Sequence, residues 1–144
     1  MSHGVVENHL HIIFSTKDRL PLIPLEMEGR LYAYLRGIAN KRHTTVVRIN
    51  GVSDHIHMLI NLHPDASLSV LVKELKSYST GWLKKEGYSS FSWQVGYGAF
   101  SCSKILLDRL INYIDCQKEH HKKTSFAGEL QWLNAHLASK WFIE

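Results

Sequence analysis

Cysteine is scarce: Cys102 and Cys116 are the only two in 144 residues. With no secretion signal beside them they read as reduced thiols, which excludes a disulfide framework and disfavours a zinc site built on cysteine. No apolar run approaches the roughly 18 residues of a membrane-spanning helix. The opening "MSHGVVENHLHII" lacks the basic segment and small-residue cleavage site of a signal peptide, so a cytoplasmic protein without a membrane partner is expected. Low-complexity segments and repeats of solenoid spacing are also missing. Acidic residues are outnumbered only 13 to 17, and the net charge of +4 suits a polyanion partner without requiring one. What remains is a chain with 44% hydrophobic residues, the size of one domain spanning 1–144.

The hydrophobic pattern sorts into seven elements. "HLHIIFST" (9–16) reads as a strand, and the turn-rich "KDRLPLIP" follows. Leu31, Leu35 and Ile38 fall at helical spacing within 25–42. Strands are predicted at 44–51 and 55–62, and the short "GVSD" between them predicts an antiparallel pair. A helix over 67–87 has Asp65 or Ser67 as its cap, Leu71, Leu75 and Tyr78 on one stripe, and Gly87 as its stop. "VGYGAFSCS" (95–103) predicts a short strand. A long helix over 103–123 would turn Ile105, Leu106, Leu110 and Ile114 to the core, and a weaker helical pattern covers 127–138. The order β-α-β-β-α-β-α predicts an α+β fold: a ferredoxin-like split β-α-β-β-α-β antiparallel sheet with an added C-terminal helix.

Chemistry concentrates in "DHIHMLINL" (54–62). On a strand, residues two apart share a face, so His55 and His57 point together while Ile56 and Met58 point away. Two imidazoles on one face make half of a divalent metal site. The spacing alone does not select them, because His9 and His11 repeat it on the first strand; for that pair the sequence favours an ordinary structural role. Further along, Tyr113 and Gln117 in "NYIDCQKEHH" are four apart and would share a helix face. A tyrosine hydroxyl can serve as a covalent nucleophile, and a glutamine offers a neutral oxygen to a hard metal.

Taken together these segments resemble a known family: the single-tyrosine HUH (His-hydrophobic-His) transposases of small bacterial and archaeal insertion sequences, the transposase A type, with their REP-associated relatives. "HIIFSTKDRLPLI" resembles the family's first strand and basic turn, and "INGVSDHIHMLINL" its HUH strand. "SLSVLVKELKSYSTGWL" resembles the next helix, "FSWQVGYGAFSCS" the segment before the catalytic helix, and "YIDCQKEHHKKTSF" the tyrosine motif. The tail "LQWLNAHLASKWFIE" matches poorly. The resemblance implies that His55, His57 and Gln117 bind Mg2+ or Mn2+ and that Tyr113 is the nucleophile. It implies an enzyme that binds hairpin-bearing single-stranded DNA, then cuts and rejoins it through a 5′-phosphotyrosine. It also implies a ferredoxin-like homodimer in which Tyr113 of one subunit can complete the histidine site of the other, with Gly96 and Gly98 as the flexible connection.

Lys17 and Arg19, with His120 and His121, are the candidate contacts to the DNA backbone. Lys73, Lys76, Lys84 and Lys85 give the middle helix a basic character, and Trp82 and Trp93 could stack on bases or fill the core. Three rivals stand beside the transposase. A histidine-triad nucleotide hydrolase would need a third histidine where Leu59 stands. A domesticated relative could bind hairpins, or process chromosomal repeats, without transposition. A plain metal-binding domain would use neither Tyr113 nor DNA.

Overall fold

The computed structural model describes residues 4–120 and 128–129. Four strands form one antiparallel sheet: β1 (His9–Ser15), β2 (Thr45–Gly51), β3 (His55–Asn61) and β4 (Gly98–Ser101). Their order is β2-β3-β1-β4, so β3 and β1 are the central pair. The helix after β1 carries the chain past the place that β3 later fills to reach β2, and the helix after β3 carries it past β1 to reach β4, which is the split arrangement expected from the element order. The weak helical pattern at 127–138 lies outside the described residues except for Gly128 and Glu129.

The alternation of β1 and β3 creates two apolar layers. Ile12, Phe14, Ile56, Met58 and Ile60 pack on one face against α1 (Glu28–Lys41) and α2 (Leu68–Lys85). Leu31, Leu35 and Ile38 from α1, with Leu71 and Leu75 from α2, fill that layer. Ser67 caps α2 by accepting from the Val70 amide. Gly87, at φ +103°, takes the left-handed conformation just past its end, where a side chain would be strained. Tyr78 departs from its expected stripe and is 52% exposed.

The opposite face carries the second layer. Ile13, Leu59 and Phe100 meet Leu110, Tyr113 and Ile114 of α3 (Leu107–Asp115). Here the single helix expected over 103–123 is replaced by three pieces. A 3-10 turn covers Lys104–Leu106, α3 follows, and the chain bends at Cys116 before α4 (Gln117–His120). The amide side chain of Asn50 on β2 explains the break: it donates to the Ile114 carbonyl at 2.9 Å and to that of Asp115 at 3.3 Å, satisfying carbonyls that a continuous helix would use itself. Ile105, expected in the core, is 90% exposed because it lies on the 3-10 turn.

Candidate active site

The site is built where β3 begins, under α3. His55 and His57 are fully buried and both project toward the α3 layer. Each ring is braced at Nδ1. His55 Nδ1 donates to Asp54 Oδ1 at 2.7 Å, and His57 Nδ1 faces His11 Nε2 at 2.8 Å. Their Nε2 atoms turn to one carboxylate: Glu129 Oε2 lies 3.2 Å from His55 Nε2, and Oε1 lies 2.6 Å from His57 Nε2. Glu129 is 1% exposed. The hydroxyl of Tyr113 donates to the same Oε1. The Tyr113 ring stands edge-on to His57, with centroids 5.8 Å apart. One chain therefore brings Tyr113 to its own two histidines.

Gln117 is fully buried; the bend at Cys116 puts it on α4 rather than on one continuous helix with Tyr113, yet its side chain still hydrogen-bonds that of Tyr113. Its Nε2 donates to the Tyr113 carbonyl at 3.5 Å, and its Oε1 has no hydrogen-bond partner among the described residues. A buried, unpaired acceptor of this kind is suited to a donor or a cation. One donor atom from each of His55, His57 and Glu129 lies within 4.8 Å of the others. Two imidazoles and a carboxylate form a mixed nitrogen–oxygen set that fits a divalent ion such as Mn2+ or Mg2+.

The electrostatics support that fit. Burial opposes a charge on His55, yet its hydrogen bonds to Asp54 and Glu129 outweigh burial and raise its pKa. A carboxylate at each end of one imidazole calls for positive charge, which a proton or a bound cation can supply. His11 behaves in the opposite way. Burial, and then the neighbouring His57, hold its pKa well below the usual histidine value despite the pull of Glu129. Burial, reinforced by the Glu129 carboxylate, pushes the Tyr113 hydroxyl far above an ordinary phenol. Tyr113 is therefore fully protonated at neutral pH and needs a proton acceptor before it can attack anything.

The remaining expected contacts divide. Lys17 and Arg19 are exposed on a 3-10 turn that follows β1. Thr16 N donates to the Asp54 carbonyl at 2.8 Å, which sets that turn at the same sheet end as His55. His120 is the last residue of α4, and His121 lies outside the described residues. Lys76 points inward and donates to the carbonyls of Gln94 and Gly96, so it holds a loop; Lys73, Lys84 and Lys85 are exposed. Trp93 is a core residue whose indole donates to Ser79 Oγ at 2.9 Å. Trp82 is stacked on Tyr34 and covered by Arg30.

Against known proteins, residues 5–117 match the family model described as "Transposase IS200 like". The chain belongs to the IS200-like transposase family. The ISDra2 transposase TnpA of Deinococcus radiodurans is 25% identical over 122 residues, spanning 80% of this transposase and 87% of that one. A crystal structure of a transposase-like protein from D. radiodurans R1 superposes with a TM-score of 0.60 at 25% identity, over 81% of this chain and 96% of that one. A REP-associated tyrosine transposase bound to a REP hairpin gives a TM-score of 0.66 over 84% of this chain and 72% of that one; at 14% identity that likeness is one of fold. Among the described residues, no helix of the transposase is long and apolar enough to cross a membrane.

Sequence reasoning missed two members of the site, Glu129 and His11. Glu129 follows Tyr113 by 16 residues and carries no spacing signal. His11 was visible in "HLHII", but its value depends on strand register, which the sequence does not display.

Proposed function

We propose that this transposase binds hairpin-bearing single-stranded DNA and cuts and rejoins it by transesterification, with Tyr113 as nucleophile. The observation that carries the reading is the convergence of the Tyr113 hydroxyl, the Glu129 carboxylate and the two histidine Nε2 atoms in one buried cluster. His55, His57 and Glu129 would hold a divalent metal, with Gln117 Oε1 as a further ligand. Mg2+ or Mn2+ there would polarise a non-bridging oxygen of the scissile phosphate and offset charge developing on it.

The chain's own residues do the rest. Glu129 accepts the Tyr113 proton, which burial otherwise holds on the phenol. Tyr113 Oη bonds to phosphorus as the bond from phosphorus to the 3′ oxygen breaks, and that oxygen leaves as a 3′-hydroxyl on taking up a proton. The other strand end stays attached as a 5′-phosphotyrosine. Attack by a second 3′-hydroxyl on that link joins strands and returns the proton to Tyr113. The phosphodiester bond energy is conserved, so no nucleotide cofactor is needed. Lys17 and Arg19, with His120 and His121, are proposed to hold the DNA backbone. The hairpin-bound relative supports hairpin DNA as the ligand. We place the reaction in the cytoplasm and the working unit as a homodimer.

The test is a metal-dependent covalent adduct with a labelled hairpin oligonucleotide, carried out beside Tyr113→Phe and His57→Ala. Hairpin binding without any adduct would support a relative that binds repeats and does not cut them.

A further inference from the structure

His11 takes no part in the steps above, yet it is fully buried against the site. In the sheet register His11 pairs with Leu59 and Ile13 pairs with His57, so His11 and His57 are diagonal neighbours on one face of the central strand pair. Their rings stack at 5.0 Å and 27°, and Phe100 closes the far side of His11 edge-on at 4.7 Å. A leucine would fill such a space without a polar atom. Moreover, His11 Nδ1 has no hydrogen-bond partner among the described residues. A buried polar atom left unpaired costs about 1–3 kcal/mol, so this histidine is a poor choice for stability alone.

The contact that His11 does make is specific. Its Nε2 meets His57 Nδ1 at 2.8 Å, a distance that requires one hydrogen between the two nitrogens. If that hydrogen belongs to His57, a neutral His57 has its lone pair on Nε2, available to a cation held between it and Glu129. If it belongs to His11, a neutral His57 carries its hydrogen on Nε2 and cannot bind a cation there. His55 is braced in the same way, at Nδ1, by Asp54. Ligating histidines generally need such an outer partner to fix ring orientation and tautomer.

We propose that His11 is a positioning residue: it accepts the Nδ1–H of His57 and so holds the Nε2 lone pair toward the metal. This rests on the reading of His57 as a ligand. The Mn2+ affinity of the full chain, measured by electron paramagnetic resonance of free Mn2+, tests it on wild type, His11→Leu and His11→Gln, with melting curves for each. Glutamine keeps an acceptor oxygen near the place of Nε2; leucine keeps only the bulk. Affinity should fall about 10- to 100-fold in His11→Leu at unchanged folding, and return to within about threefold of wild type in His11→Gln. Leucine binding as well as wild type, or glutamine binding no better than leucine, overturns the proposal. Should the variants fail to fold, long-range proton–nitrogen NMR of wild type loaded with diamagnetic Zn2+ decides it. A His57 hydrogen on Nδ1 supports the proposal, and one on Nε2 overturns it. A wild type that binds no Mn2+ would remove the ligand reading of His57 as well, whereas normal wild-type binding with an indifferent His11→Leu removes only the role of His11.

Discussion

At the scale of the residue, the chemistry gathers around one carboxylate. Glu129 accepts from Tyr113 and faces both histidines, so its removal separates catalysis from binding. Glu129→Gln keeps the shape but loses both the proton acceptor and the anionic metal ligand; adduct formation should slow by about 10²-fold or more, with hairpin affinity unchanged in a gel-shift titration. Tyr113→Phe should abolish the adduct, a loss of about 10³-fold or more in rate, because the bond-forming oxygen is gone. That His55 and His57 share a face was legible from strand alternation, but His9 and His11 carry the same spacing, so singling out this pair needed the surrounding motifs. Tyr113 was legible only with its surrounding motif. Glu129 was not legible, since no sequence spacing ties it to Tyr113 or to the two histidines.

At the scale of the element, the bend between α3 and α4 sets the position of Tyr113 and Gln117. Asn50 holds the α3 end, and Lys118 ties α4 back to the Asn50 side chain at 3.1 Å and to Glu28 at 2.7 Å. Asn50→Ala should cost about 1 kcal/mol in a urea titration and should reduce adduct formation more than hairpin binding. Ile114, fully buried beneath α3, sets the larger energy: Ile114→Ala should cost about 3 kcal/mol. The hairpin between β2 and β3 is constrained as well. A Cβ on Gly51 would collide with the His55 carbonyl, so Gly51→Ala should displace the first histidine and weaken metal binding. Strands and the first two helices followed from periodicity, since their apolar stripes match the observed core except at Tyr78. The third helix did not. Its apolar spacing ran on through Cys116, and the carbonyl partners that end it come from Asn50, more than 60 residues earlier in the chain.

At the scale of the whole molecule, the sheet separates structure from chemistry. One face buries α1 and α2; the other presents the histidines to α3. A ferredoxin-like order was readable from element succession alone, but the assignment of helices to faces required the register. The net charge of +4 and the exposed Lys17 and Arg19 predict an electrostatic share of DNA binding. Hairpin affinity should fall roughly 10- to 50-fold between about 50 and 200 mM salt if about two or three phosphates are neutralised. A dimer in light scattering would support the homodimeric unit. The most direct test of the whole account is mass spectrometry of the protein after incubation with a hairpin oligonucleotide and Mn2+ or Mg2+. The account predicts a 5′-phosphonucleotide on Tyr113, formed only with metal and lost in His57→Ala. Hairpin binding with Tyr113 unmodified under both metals, or DNA attached to a different residue, would contradict it.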